Sequence, residues 1–209
     1  MLQGSRMVSR TSADDCYRPL LDVDTTLLAE YCLAEITHPT NEWKDLHFFK
    51  FLKLDLDHVL TICPLFESIH AHTPIRRFAI SHMPPEFFYK LHTDHERGCC
   101  INMLLVDTSS TCAFIAVNPG EKTYTMANPT EYVPRESNLT VGEVGSHPMG
   151  HAFKLDYEVN VPYAFNTQQP HMVMNWGEDR YMFTVEFNED LSELPYRGLI
   201  KRLKRGGQI

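Results

Sequence analysis

Three ionisable side chains fall close together in "KLHTDHERGCC": His92, Asp94 and His95. An imidazole and a carboxylate two residues apart can serve as paired metal ligands on an extended backbone, because residues i and i+2 of a strand point to one face. On that reading His92 and Asp94 project together, and His95 projects away to a structural or solvent role. A third ligand must come from elsewhere. The candidate is His171, which opens the apolar run "HMVMN" just after Pro170. Arg180 follows nine residues later, at the head of "RYMFTVEF". The interval has room for one strand, a turn over "NWGED" and a return. Hairpin partners lie about 4.8 Å apart, so this spacing predicts Arg180 close beside His171.

These residue types suit one kind of chemistry. Two imidazoles and one carboxylate on one face of Fe(II) leave three coordination positions open. An α-keto acid can take two of them as a chelate, and O2 the third. The far carboxylate of the keto acid then needs a fixed cation, and an arginine supplies a planar, bidentate one. Arg180, Met182 and Thr184 share one strand face; Tyr181, Phe183, Val185 and Phe187 share the other. The second set is wholly apolar and is expected in a hydrophobic layer, which leaves Arg180 facing the interior. The bland reading of a histidine in a β-rich core is a hydrogen-bonded structural residue. His92, Asp94, His171 and Arg180 together weigh against it, since buried ionic groups are costly without a partner.

The elements that must carry these residues are short. "DTTLLAEYCLAEI", residues 24 to 36, reads as a helix capped by Asp24 or Thr25. "DLDHVLTICPLFESI", residues 55 to 69, reads as a helical region interrupted near Pro64. From residue 76 the chain turns β-like. "RRFAISHM", "FFYKLHTD", "CCINMLLVD", "CAFIAV", "AFKLDYEV", "PYAFN", "HMVMN" and "RYMFTVEF" are runs of β-branched and aromatic residues, punctuated by Gly, Pro, Asn and Asp. Successive short strands predict a sandwich or barrel. The organisation expected is therefore a helical support over 1–75, a β core over 76–190 and a basic, solvated tail over 191–209. Residues 118–150, rich in Pro, Gly and Asn, form a long insertion, either surface decoration or a lid over a site. Tyr124, Tyr132 and Arg135 are its candidate substrate contacts.

Composition narrows the classes. With 209 residues and 43% hydrophobic content, the chain can bury a sizeable core. A net charge of −8 argues against a nucleic-acid partner, which would need a basic face. Six cysteines with no C-x-x-C pair fit packed thiols in a reduced, cytoplasmic chain. No apolar run is long enough to span a membrane. Arg76 and Arg77 are expected on opposite faces of a strand, His70 and His72 in a loop, Asn166 and Thr167 at a strand end. Asn175 belongs either to a turn or to the site.

On "H-T-D" at 92–94, "INMLL" after it, "YAFNTQQPHMVMN" at 163–175 and "R-Y-M-F-T-V-E-F" at 180–187, the sequence resembles the Fe(II)/2-oxoglutarate-dependent oxygenases. The nearer resemblance is to the aspartyl/asparaginyl β-hydroxylase and proline-hydroxylase-like branch, and it covers roughly residues 76–187. It implies a mainly β, double-stranded β-helix (jelly-roll, cupin-like) fold with N-terminal supporting helices. It implies iron held by His92, Asp94 and His171, 2-oxoglutarate held through Arg180, and hydroxylation of a C–H bond in an amino acid or peptidyl residue with O2. One departure stands out. The strand after H-x-D often carries Arg-x-His in the branch; here it reads Cys100-Ile101-Asn102, leaving Asn102 as the candidate second contact of the keto acid. Two alternatives remain: a cupin-like metalloenzyme that does not use 2-oxoglutarate, and a catalytically silent jelly-roll binding module.

Overall fold

The structure, a computed structural model, describes residues 12–46, 49–94, 97–115 and 152–209. The 118–150 insertion, its Tyr124, Tyr132 and Arg135, and His95 lie outside the described residues.

Among the described residues, eleven strands and four α-helices follow one another. A short 3-10 turn, Ala13–Asp15, leads into β1 (Tyr17–Pro19), α1 (Thr26–Thr37), β2 (Lys44–Leu46), β3 (Phe49–Lys53), α2 (Leu56–Ile62) and α3 (Pro64–His72). Then come β4 (Ile75–Met83), β5 (Phe87–His92), β6 (Cys100–Leu104), β7 (Ser110–Ile115), β8 (Ala152–Leu155), β9 (Pro162–Phe165), β10 (His171–Asn175), β11 (Arg180–Phe187) and α4 (Tyr196–Arg205). The strands form two antiparallel sheets: a major one in the order β1-β9-β6-β11-β4-β3-β2 and a minor one in the order β5-β10-β7-β8.

The period-2 pattern of the central strands builds both layers. On β6, Ile101 and Met103 point to one side of the major sheet, as do Phe78 and Ile80 of β4 and Phe183 and Val185 of β11. These side chains meet Leu28 and Cys32 of α1, Phe66 and Ile69 of α3, and Leu199 and Leu203 of α4. Phe66, Phe78 and Phe183 form an aromatic triangle with ring centroids 5.4–5.5 Å apart. On the opposite side, Cys100, Tyr163 and Phe165 of the major sheet pack on Cys112, Phe114 and Leu155 of the minor one. The site residues share this second, inter-sheet space.

Local chemistry explains the helices. The Asp55 carboxylate caps α2 by accepting the His58 N–H at 2.7 Å. Pro64 cannot continue α2 but suits the first turn of α3, so the expected interruption becomes a boundary between two helices. His70 and His72 close α3 instead of lying in a loop; His70 Nδ1 accepts the Ile75 N–H at 3.0 Å. Cys99 and Cys100 are buried thiols without a disulfide.

Three expectations need revision. The N-terminal region is not only helical: β1 extends one edge of the major sheet, with Pro19 tolerated there, and β2 and β3 extend the other. The basic C-terminal stretch is not a solvated tail. It forms α4, whose Tyr196, Leu199 and Leu203 are buried at positions i, i+3 and i+7 while Arg197, Lys201, Lys204 and Arg205 are exposed. β10 and β11 are not a hairpin. They belong to different sheets, and residues 176–179 cross between them. Among the described residues, no helix is long and apolar enough to cross a membrane.

Candidate active site

β5 and β10 pair so that His92 stands directly opposite His171. A register shift just after His171 marks a bulge, which frees the end of the strand to re-aim its side chain. The imidazole centroids are 4.2 Å apart. Asp94 lies two residues past the end of β5, so the regular strand expected across the H-x-D motif stops at its first member. The carboxylate still converges on the histidines: Oδ1 is 3.5 Å from His92 Nε2 and 3.8 Å from His171 Nε2. Ligand atoms of all three lie within 4.8 Å of one another. Cis ligands with bonds of about 2.1 Å stand about 3 Å apart, so small side-chain shifts bring this set around one ion.

The protonation states suit a cation. His171 Nδ1 lies 2.9 Å from the Gln169 carbonyl, which fixes that nitrogen as the donor and leaves the Nε2 lone pair toward Asp94 and His92. Burial, reinforced by His92, lowers the His171 pKa to about 3, so the ring is neutral. Burial works against ionisation of Asp94, but Arg97 and the two imidazoles outweigh it and hold the carboxyl well below the usual carboxylate range.

Residues 166–169 brace this assembly. The Thr167 carbonyl accepts the Asp94 N–H at 3.0 Å. The Thr167 hydroxyl donates to the Arg97 carbonyl. The Gln168 amide donates to the carbonyls of Asp94 and Arg97 at 2.8 and 2.9 Å. The strand-end position expected of Thr167 is thus a strap between the two histidine-bearing segments. Phe165, Phe114 and Tyr89 enclose the imidazoles, with Tyr89 4.3 Å from the His92 ring and Phe165 4.9 Å from that of His171.

Arg180 opens β11 and is only 5% exposed. Its Nε donates to Ser110 Oγ at 3.1 Å, and its guanidinium lies 5.6 Å from the centre of the Tyr157 ring. Burial lowers its pKa. Among the described residues no carboxylate pairs with it. Two half-buried cations nearby are paired: Arg77 with Glu186 at 2.6 Å and Arg97 with Asp94 at 2.5 Å. Thr184 faces Asn102 across β11 and β6, and its hydroxyl donates to the Asn102 amide oxygen. Burial holds the Tyr157 phenol well above the usual range, an effect that Arg180 and Asn102 offset only in part. Asn175 belongs to the turn: its amide nitrogen donates to the carbonyls of Pro84 and Glu178, both at 2.8 Å.

Arg97, Tyr157, Ser110 and Gln168 were not among the residues singled out from sequence. Arg97 carried one signal, a cation three residues after Asp94. Tyr157 and Ser110 carried none, because only the facing of the two sheets brings them to Arg180.

No protein-family model matches the sequence, and no curated protein matches it. The resemblance is in three dimensions. HygX from Streptomyces hygroscopicus, solved with nickel and 2-oxoglutarate bound, aligns with a TM-score of 0.55 at 10% identity, over 83% of this chain and 84% of that one. The non-heme alpha-ketoglutarate-dependent carbocyclase SnoK from nogalamycin biosynthesis aligns at 0.53 and 10% identity, over 82% and 79%. The fold is the double-stranded β-helix. At such identities the likeness concerns the backbone, and within that backbone β5 and β10 of the minor sheet carry the histidines while β11 of the major sheet carries Arg180. The epimerase SnoN, also alpha-ketoglutarate dependent and from nogalamycin biosynthesis, aligns at 0.50 and 13% identity, over 82% and 77%.

Proposed function

We propose that this chain is an Fe(II)- and 2-oxoglutarate-dependent oxygenase that hydroxylates a C–H bond of an amino acid, free or within a peptide. The observation that carries the reading is Arg180: a buried guanidinium, on the inner face, without a carboxylate partner among the described residues. Holding a charge out of water is expensive unless an opposite charge meets it. A dicarboxylic keto acid is such a partner.

Ser110, Cys112 and Phe114 alternate along the inner face of β7, with Arg180 bonded to the first and His171 in register with the last. That interval is about 13 Å along a strand. The reach of the arginine and a five-carbon diacid together fill it. His92, Asp94 and His171 would hold the metal, and the bound metal with its keto acid supplies the oxidation. The chain's own residues set the conditions. Gln169 keeps His171 in the ligating tautomer. Arg180 and Ser110 would receive the distal carboxylate, with the Tyr157 ring beside it, and Asn102 would donate toward the proximal one. Phe114, Phe165 and Tyr89 exclude water from the ligands. The amino-acid substrate class rests on the resemblance of residues 92–94, 163–175 and 180–187 to the β-hydroxylase and proline-hydroxylase-like branch.

The test is an anaerobic titration with Fe(II) and 2-oxoglutarate, followed by succinate detection with candidate amino acids, peptides and nucleosides. Saturable binding of both and substrate-stimulated succinate are expected. Iron binding without 2-oxoglutarate binding would leave a metalloenzyme of another kind.

A further inference from the structure

We propose that Arg97 is a positioning residue that confines Asp94 to coordination through a single oxygen, an inference that rests on the metal-binding reading above. Asp94 divides its two oxygens. Oδ1 faces the imidazoles at 3.5 and 3.8 Å, whereas Oδ2 accepts the Arg97 Nε–H at 2.5 Å. A carboxylate committed in this way offers a metal one atom, not two. Such a restraint is needed here because Asp94 lies beyond the last residue of β5, where no ladder fixes its direction.

Arg97 is itself held from several sides. Thr167 and Gln168 bind its carbonyl. Next to it, Gly98 is packed so tightly that an added Cβ would stand 2.6 Å from the Leu194 carbonyl oxygen. Its Nη1 lies 3.8 Å from Glu186 of β11, and Glu186 is gripped by Arg77 of β4 at 2.6 Å. Two adjacent strands of the major sheet, β4 and β11, thus help set the direction of a carboxylate that lies just past the end of β5. Groups that orient metal ligands in this way typically matter by about 10- to 100-fold in metal affinity.

Charge and geometry pull in opposite directions at Arg97. A guanidinium beside a divalent cation repels it, so at a pH where Asp94 stays ionised in every variant, loss of the charge alone would tighten binding. If Arg97 acts by orientation, its removal loosens binding. The experiment titrates the metal-free full chain anaerobically with Fe(II) and, in parallel, with Co(II), whose visible absorption reports coordination number. Arg97→Ala is expected to weaken Fe(II) about 10- to 100-fold and to alter the Co(II) spectrum as Oδ2 becomes available. Arg97→Lys and Arg97→Gln, each able to donate one hydrogen bond, should recover part of the loss, and Glu186→Gln should lose less than Arg97→Ala. Thermal unfolding without metal shows whether each variant is folded; Arg97→Met, which keeps the apolar stem, takes the place of Arg97→Ala if that variant is not. Unchanged or tighter Fe(II) binding in a folded Arg97→Ala or Arg97→Met overturns the proposal. A wild-type chain that binds neither metal overturns the metal-binding reading and this inference with it.

Discussion

Substitution of Arg180 separates a ligand anchor from a structural charge. Arg180 is 5% exposed, donates through Nε to Ser110 and meets no carboxylate among the described residues. Burial opposes its charge, as the lowered pKa records. An apolar side chain of similar length escapes that cost, so Arg180→Met is expected to leave the ligand-free chain as stable as the wild type, or more stable by up to about 4 kcal/mol. Arg180→Lys keeps the charge but loses the planar fork and the bond to Ser110. One charge-assisted hydrogen bond is worth about 1.5–3 kcal/mol, so 2-oxoglutarate binding should weaken roughly 10- to 150-fold. Linkage supplies a second readout. A ligand at a hundred times its Kd stabilises the native state by about 2.7 kcal/mol, so 2-oxoglutarate should raise the wild-type Tm and leave that of Arg180→Met nearly unmoved. Anaerobic calorimetric titration with metal present, and melting curves with and without 2-oxoglutarate, measure both effects. Fe(II) affinity should barely change, since Arg180 is not a ligand. The anchor role is refuted if Arg180→Lys and Arg180→Met both bind 2-oxoglutarate as the wild type does.

Alanine at His92, Asp94 or His171 should abolish tight Fe(II) binding in a folded protein, read by metal titration and circular dichroism, whereas His95→Ala should match the wild type. Without metal, His171 has a pKa of about 3 when folded, against about 6.5 unfolded. The unfolded chain therefore binds the extra proton, and stability should fall as pH drops from about 6.5 toward about 3; urea midpoints across that range measure it, and His171→Gln should flatten the fall. Asp94, depressed in the native state, adds to the loss at the acid end of that range. Leu199 is fully buried on α4, so Leu199→Ala should cost about 2–5 kcal/mol in a urea titration, while the exposed Lys201→Ala should stay within about 0.5 kcal/mol. Shortening the 118–150 insertion should raise uncoupled succinate formation or weaken substrate binding, with 2-oxoglutarate binding nearly unchanged; identical product formation would make it decoration.

What was legible in the sequence follows from which physical rule each feature obeys. Period-2 alternation depends only on the strand itself, so the inward face of β11 could be read without knowing its neighbours. Arg180 and Thr184 lie where that rule places them, and Asn102 joins them through the Thr184–Asn102 register. Adjacency between strands depends on topology, which residue spacing does not carry. The nine residues from His171 to Arg180 fit a hairpin in length, yet the chain uses them to pass from one sheet to the other. The C-terminal helix shows a different failure. Tyr196, Leu199 and Leu203 carry helical spacing, but the dense cations around them concealed a buried stripe.

The histidine–aspartate pair obeys both rules only in part. His92 is positioned by its ladder to β10, which also brings His171 opposite. Asp94 has no such ladder and depends on tertiary partners: Thr167 for its backbone and Arg97 for its carboxylate. Residue types and spacing can therefore nominate this carboxylate as a ligand, but cannot say which of its oxygens faces the histidines. That choice falls to the Arg97 guanidinium, whose Nη1 lies 3.8 Å from Glu186, itself paired with Arg77 on the major sheet. The minor sheet contributes the two histidines, and the major sheet contributes Arg180 together with the Arg77–Glu186 pair that borders Arg97. The spacing of the two sheets is thus a determinant of the site, and substitutions in the inter-sheet layer of Cys100, Cys112, Phe114 and Phe165 should alter metal and keto-acid affinity together.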